Sequence, residues 1–102
     1  MTTVEKNSIK HDIVERLAAD SSVRKVVIFG SFLTSENPHD VDIAVFSAGA
    51  GDYLSLAMQY RRELREVSKR ISLDVIPVRM PCEESSFLRE INSGETVYEK
   101  GS

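Results

Sequence analysis

Three short segments rich in β-branched and apolar residues limit what this chain can fold into. They are VRKVVIF at residues 23–29, DVDIAVF at 40–46 and SLDVIPV at 72–78. Such residues favour the pleated, half-buried surface of a β-sheet, and Gly30 with Ser31 ends the first segment abruptly. Pro77 has no amide hydrogen, which favours an outer position for the third strand. The sequence therefore predicts one small sheet.

Three stretches with helical periodicity accompany these strands, at residues 8–20, 53–71 and 83–93. Ser8 and Asp52 can cap the first two helices, and Gly94 ends the third. Ser31 can open one further helical turn, and residues 96–98 form a short extended tail. This order predicts an α+β (mixed α/β) domain in which helices pack against a small mixed sheet. The strand order cannot be inferred from the sequence.

Length, charge and composition restrict the class of protein. The 102 residues suit a single domain, residues 1–102, and the formal net charge of −3 argues against a protein that grips long nucleic acid through its phosphates. The chain has a single cysteine, an opening segment without an apolar signal-peptide core, and no apolar run of the about 18 residues that a membrane span needs. We therefore expect a cytoplasmic protein with no membrane role.

Three aspartates lie inside the strand segments, where aspartate is normally depleted. Strand alternation puts Asp40 and Asp42 on one face, about 6.6–6.8 Å apart, and a neighbouring strand about 4.8 Å away can bring Asp74 to the same point. Unpaired carboxylates there would repel one another, whereas Mg²⁺ binds one or two protein carboxylates and completes its shell with water and phosphate oxygens. The alternative is that Asp40 and Asp42 are strand-end residues and Asp74 is half exposed.

Gly30 and Ser31 form a second feature with chemical meaning. A glycine directly after a buried strand allows a sharp turn and a close approach to a ligand. The next residue can open a helical turn whose free N–H groups favour phosphate, and Ser31 adds a hydroxyl donor. The alternative is a plain strand-ending turn with a serine at a helix start.

Taken together, these residues resemble a known family. Gly30-Ser31 after a strand, Asp40-x-Asp42 on a second strand and Asp74 on a third are similar to the nucleotidyltransferase fold of the DNA polymerase beta superfamily, above all its minimal nucleotidyltransferases. The stretch FLREINSGETVYEK, at residues 87–100, resembles the closing helix, glycine and tyrosine-bearing strand of that family. The resemblance thus covers nearly the whole chain.

The resemblance implies an enzyme that moves NMP from a nucleoside triphosphate, with ATP as the expected donor, to an acceptor hydroxyl. By similarity, Gly30 and Ser31 bind the triphosphate. Asp40 and Asp42 ligate two Mg²⁺ ions, and Asp74 ligates one of them and activates the hydroxyl. The partner in this family is commonly a small helical HEPN protein in a toxin–antitoxin pair, so we expect a partner chain or a homo-oligomer. The rival reading is a non-catalytic, partner-binding module of the same fold that binds nucleotide.

The second predicted helix is rich in basic residues, namely Arg61, Arg62, Arg65, Lys69 and Arg70. One interpretation is a solvated face with local ion pairs, since Arg62 and Glu66 have the spacing of neighbours on a helix. The other is a surface for a phosphate-rich ligand or an acidic partner.

Overall fold

The three predicted strands pair with a fourth in one sheet, in a computed structural model that describes residues 1–48, 51–80, 88–89, 91 and 93–101. The helices in these ranges are α1 (Thr3–Ala18), α2 (Ser31–Thr34), α3 (Tyr53–Glu63) and α4 (Arg65–Ser68). The strands are β1 (Val23–Phe29), β2 (Asp40–Ser47), β3 (Ser72–Arg79) and β4 (Glu95–Glu99). None of the helices in the described ranges has the length and apolar character that crossing a bilayer requires.

The sheet is mixed and has the order β3-β2-β1-β4. β1 is antiparallel to both β2 and β4, whereas β2 and β3 are parallel. The predicted α+β architecture is therefore confirmed, and so is the outer position of the strand that carries Pro77. The predicted tail at residues 96–98 is part of β4 and belongs to the sheet. Residues 88–89 and 91 are helical and Ser93 lies in a turn, whereas the rest of the helix predicted at 83–93 lies outside the described residues.

The predicted start of the first helix is wrong by several residues. α1 begins at Thr3, and Thr2 caps it with its hydroxyl oxygen, which accepts a hydrogen bond from the Glu5 amide at 3.1 Å. The Glu5 carboxylate accepts one in return from the Thr2 amide, which completes a capping box. Ser8 consequently lies inside the helix and caps nothing.

The long helix predicted at residues 53–71 is also interrupted. Asp52 caps its start as expected, with Oδ1 accepting from the Ser55 amide at 2.8 Å. Leu64 then leaves helical geometry, with φ −96° and ψ 11°, and separates α3 from α4. Leu64 is fully buried, and the segment contains neither glycine nor proline, so no local sequence signal marks the break.

Side chains cover the sheet on both faces, and different elements pack against each face. One face packs against α1, α3 and α4 through a cluster that includes Ile13, Leu17, Tyr60, Val26, Ile43 and Val75. The other face carries Val27, Phe29, Ala44 and Phe46, against which Leu88 and Ile91 pack. Strand alternation puts Asp42 on the same face as Ala44 and Phe46. The aspartates of β2 therefore point away from α1, α3 and α4.

A polar network joins the turn after α1 to α3. Asp20 Oδ1 accepts hydrogen bonds from the amide of Ser22 at 2.9 Å and from its hydroxyl at 2.7 Å. Asp20 Oδ2 accepts a third from Gln59 Nε2 at 2.5 Å. Ser22 Oγ also lies 3.2 Å from the hydroxyl oxygen of the buried Tyr60. These contacts fix α3 to the end of β1 that lies far from Gly30.

Glu63 shares a proton with this network. Burial raises the pKa of Glu63 to about 8, and the hydrogen bond to Asp20 and the negative charge of Asp20 add to the rise. Burial also acts to raise the pKa of Asp20, but hydrogen bonds from Glu63, Ser22 and Gln59 outweigh it and lower that pKa to about 2. Glu63 Oε2 is shielded from solvent and has no hydrogen-bond partner within the described ranges.

Glu63→Gln is expected to stabilise the protein at alkaline pH. The folded chain keeps the Glu63 proton up to a pKa of about 8, against 4.5 as the ordinary value, so wild-type stability falls as pH rises through this window. Glutamine keeps a donor to Asp20 and carries no charge. We expect a gain of about 1–2 kcal/mol above pH 8, after allowance for solvent screening of a half-exposed group, and almost none below pH 4.5.

Thermal unfolding across this pH range measures the effect, with Glu66→Gln as the matched control because Glu66 pairs with Lys69 at the surface. A stability difference between Glu63→Gln and wild type that stays constant with pH would contradict the shared proton.

Candidate active site

The three aspartates converge at one edge of the sheet. Asp40, Asp42 and Asp74 each offer a carboxylate oxygen, and these oxygens lie within 4.8 Å of one another. Asp42 and Asp74 are direct partners in the parallel register of β2 and β3, and Asp40 is the first residue of β2. Asp40 and Asp42 are half-buried, whereas Asp74 is exposed. The predicted convergence is confirmed, although Asp74 is as accessible as the alternative reading supposed.

Apolar neighbours hold the carboxylates in this arrangement. Val41 and Ile43 alternate with the aspartates of β2 and are fully buried on the opposite face. Val75, the residue after Asp74, is buried in the same core. A shift of one residue in register would bury the carboxylates and expose these side chains. The core therefore determines which face of the sheet becomes acidic.

Gly30 lies directly against the acidic cluster. It has φ 80° and ψ −157°, a conformation that other residues rarely adopt. A Cβ atom at this position would lie 2.4 Å from Asp42 Oδ2, which is too close for any side chain. The glycine thus lets the backbone after β1 pass beside the Asp42 carboxylate.

Ser31 begins the short helix α2 at this turn. The Ser35 amide donates to the Ser31 carbonyl at 2.7 Å, and the Leu33 amide donates to the Gly30 carbonyl at 3.2 Å. Phe32 is fully buried and anchors α2 in the core, while Gly30 and Ser31 remain exposed. The serine hydroxyl and the first amides of the turn are therefore accessible beside the aspartates.

Gly94 supports this turn from the other neighbour of β1, a contact that the sequence analysis missed. A Cβ atom on Gly94 would lie 2.4 Å from the Ile28 carbonyl oxygen and 2.7 Å from Phe29 Cβ. Gly94 was predicted to end the third helix and to precede a tyrosine-bearing strand, but its close approach to β1 was not predicted. Gly94 lies directly before the strand-forming residues 95–99, and a glycine at such a position can indicate a close approach to a neighbouring backbone.

The donor set of the acidic cluster suits a hard divalent cation. Carboxylate oxygens are the ligands that Mg²⁺ and Mn²⁺ prefer, and among the residues that the structure describes the cluster consists of carboxylates alone. Because Asp74 is exposed, a substrate can reach the ligand oxygens from solvent. The cluster can therefore hold a divalent metal ion.

Comparison with known proteins identifies the family. The sequence model of the polymerase beta nucleotidyltransferases matches residues 11–102, so the chain belongs to that family of nucleotidyltransferases. The resemblance drawn from Gly30, Ser31 and the three aspartates is thus confirmed for the family. Among curated protein sequences no significant match was found.

Solved structures share the fold at low sequence identity. One is a tri-AMPylated HEPN toxin in complex with an MNT antitoxin from Shewanella oneidensis, with 16% identity, a TM-score of 0.63, and coverage of 93% of this chain and 73% of that chain. Another is a toxin–antitoxin complex with AMP-PNP, with 16% identity, a TM-score of 0.67, and coverage of 89% and 73%. A third, the toxin–antitoxin MntA-HepT, has 16% identity, a TM-score of 0.60, and coverage of 92% and 73%.

Proposed function

We propose that this protein transfers AMP from ATP to a hydroxyl group on a HEPN-type partner protein and acts as the antitoxin of a toxin–antitoxin pair. The convergence of Asp40, Asp42 and Asp74 beside Gly30 carries the proposal. Family membership supports the class of reaction. The AMPylated HEPN toxin and the AMP-PNP complex among the similar structures support the choice of partner and nucleotide.

Gly30 and Ser31 bind the triphosphate in this proposal. The exposed Ser31 hydroxyl and the Ser31 and Phe32 amides at the start of α2, for which no hydrogen bond is seen within the described residues, are donors of the kind that phosphate oxygens accept. Gly30 allows these donors to approach the acidic cluster without a side chain in between. The two residues thus position the α-phosphate next to the aspartates.

Asp40, Asp42 and Asp74 would hold two Mg²⁺ ions in this proposal, with Asp40 and Asp42 contributing to both. When bound, such ions neutralise phosphate charge and align the attacking and leaving oxygens. The chain contributes the fixed spacing of its carboxylates and a surface open to the acceptor. Catalysis therefore depends mainly on positioning and charge.

The proposed reaction is an in-line displacement at the α-phosphorus of ATP. The acceptor hydroxyl oxygen forms a bond to that phosphorus while the bond to the oxygen bridging to the β-phosphate breaks. Pyrophosphate leaves with the bonding electron pair, and the hydroxyl proton passes to Asp74, the most accessible of the three carboxylates. We propose that residues 1–102 act as one domain in this reaction and that the compartment is the cytoplasm, where ATP is plentiful.

ATP is expected to bind at least about tenfold more tightly with Mg²⁺ than in EDTA, because carboxylate-held ions need phosphate oxygens to complete their shells. Titration calorimetry with and without Mg²⁺ measures this difference. Equal affinities under both conditions would contradict the metal site, and would favour a nucleotide-binding module over an enzyme.

Incubation with ATP, Mg²⁺ and the HEPN-type protein encoded by the adjacent gene is expected to add one or more AMP groups to that partner. Intact-mass spectrometry detects the modification, and Asp42→Asn provides the inactive control. Efficient AMP transfer to a small molecule, with none to the protein, would refute the proposed acceptor.

A further inference from the structure

α3 exposes large apolar side chains that the fold leaves in contact with water. Tyr53, Leu54 and Met58 are 58%, 64% and 56% exposed, although the same helix buries Leu56 and Tyr60 on its inner side. Leu54 and Met58 are four residues apart and share one stripe of the helix. Adjacent exposed apolar side chains of this size mark a contact surface more often than isolated ones do.

Arginines continue this stripe toward α4. Arg61, Arg62 and Arg65 are exposed and, with Met58 and Ser68, line a shallow groove of about 500 Å³. None of the three arginines forms an ion pair with another side chain in the part of the chain that the structure describes. The groove therefore combines an apolar end with three arginines that form no ion pair within the described residues.

The acidic residues of the same two helices are engaged elsewhere. Glu63 turns inward to Asp20 and shares its proton, and Glu66 pairs with Lys69 at 3.2 Å. The groove is therefore positively charged, although the formal net charge of the protein is −3. Such separation of charge attracts an acidic partner and orients it during association.

We propose that this groove, together with the exposed Leu54 on the same stripe of α3, docks an acidic amphipathic helix of the partner protein, a proposal that rests on the HEPN-type partner proposed above. The apolar side chains of such a helix would cover Leu54 and Met58, and its carboxylates would pair with the arginines. Leu54, Met58 and Arg62 span about two turns of α3, and Arg65 continues the surface into α4 beyond the break at Leu64.

The apolar end of the groove favours a protein over nucleic acid. Phosphates would pair with the arginines but would leave Leu54 and Met58 in water, and the net negative charge would oppose a long polyanion. A second copy of this chain would have to present a matching acidic and apolar face to the groove. An acidic amphipathic helix of the partner can both cover the apolar side chains and pair with the arginines.

The groove and the acidic cluster lie on opposite faces of the sheet. α3 packs its inner side against one face of the sheet, whereas Asp42 shares the other face with Ala44 and Phe46. A helix docked on α3 therefore leaves the nucleotide site open, and a different part of the partner must present the acceptor hydroxyl. Loss of docking should consequently leave Mg·ATP affinity unchanged.

Charge reversal at Arg61→Glu with Arg65→Glu tests the docking surface. Arg24→Glu with Lys100→Glu makes the same change in net charge at exposed positions of β1 and of the segment after β4, and serves as the matched control. Calorimetry with the adjacent-gene HEPN-type protein should show at least about a 30-fold loss of affinity for the first pair, and less than about threefold for the control. Mg·ATP affinity should stay at the wild-type value in both.

Charge-swapped partners make the test specific. Arginine in place of the acidic residues on one exposed partner helix should restore binding to the Arg61→Glu, Arg65→Glu variant. If the Arg61→Glu, Arg65→Glu variant binds the partner with wild-type affinity, the docking proposal is overturned and the proposed function is unaffected. If the wild-type protein itself does not bind the partner, both the proposed pair and this docking surface are refuted. The wild-type protein could instead be a dimer that the charge reversal dissociates, which would assign the groove to a second copy of the chain. It could also bind an oligonucleotide more tightly than the HEPN-type protein and lose that binding on charge reversal, which would assign the groove to nucleic acid. Either result would overturn the proposal.

Discussion

Asp74→Asn is expected to reduce AMP transfer by about 10²–10⁴ while Mg·ATP affinity stays within a few-fold of wild type, because the lost proton acceptor matters mainly in the transition state. Asp42→Asn is expected to abolish both binding and transfer. The structure suggests this difference: Asp42 is half-buried and touches the Gly30 turn, whereas Asp74 is exposed on an outer strand.

Calorimetry, melting temperature and transfer to the partner are measured on each variant side by side. Asp52→Asn is the control, since asparagine also caps a helix and Asp52 is not one of the three clustered carboxylates. Both triad variants should fold and melt at or above the wild-type temperature, because each removes one charge from a crowded acidic cluster. Equal loss of nucleotide binding in Asp42→Asn and Asp74→Asn would show that the two carboxylates share one role.

Gly30→Ala is expected to lower Mg·ATP affinity by at least about tenfold and to remove most transfer. The new methyl group would collide with Asp42 Oδ2, and alanine at φ 80° adds a backbone cost of about 1–2 kcal/mol. The carboxylate and the Gly30 turn must then move apart, which separates the phosphate donors from the metal ligands.

Gly51→Ala is a matched control for that backbone cost. Gly51 also has a positive φ, of 138°, but its nearest heavy atoms belong to Leu56 at 3.8–3.9 Å, so an added Cβ meets only ordinary contacts. It should lower the melting temperature of the protein without a change in nucleotide affinity. If Gly30→Ala, like Gly51→Ala, lowers the melting temperature without lowering nucleotide affinity, the close approach of Gly30 to Asp42 has no functional importance.

Local signals explain which parts of the fold were predictable. The strands at residues 23–29, 40–46 and 72–78 agree with the structure to within one residue, because their apolar runs end at abrupt changes of residue type. The capping box of Thr2 and Glu5 was also present as a sequence pattern and was overlooked. The break at Leu64 has no such pattern, since neither glycine nor proline lies near it.

The candidate site was predictable in part for the same reason. Alternation along one strand places Asp40 and Asp42 on a common face, so their proximity follows from local geometry. The direct pairing of Asp42 with Asp74 depends on strand order and register, which involve residues distant in the chain. The contact of Gly30 with Asp42 Oδ2 is likewise a product of the pairing between β1 and β2.

The acidic triad also links the folding equilibrium to ligand supply. Its carboxylate oxygens lie within 4.8 Å of one another in the folded chain and separate when the chain unfolds, so a ligand that needs all three binds only the folded state. A ligand that binds only the folded chain would stabilise it by about 2.7 kcal/mol at a concentration 100-fold above its Kd. The fraction of folded protein would then fall as Mg²⁺ and nucleotide become scarce.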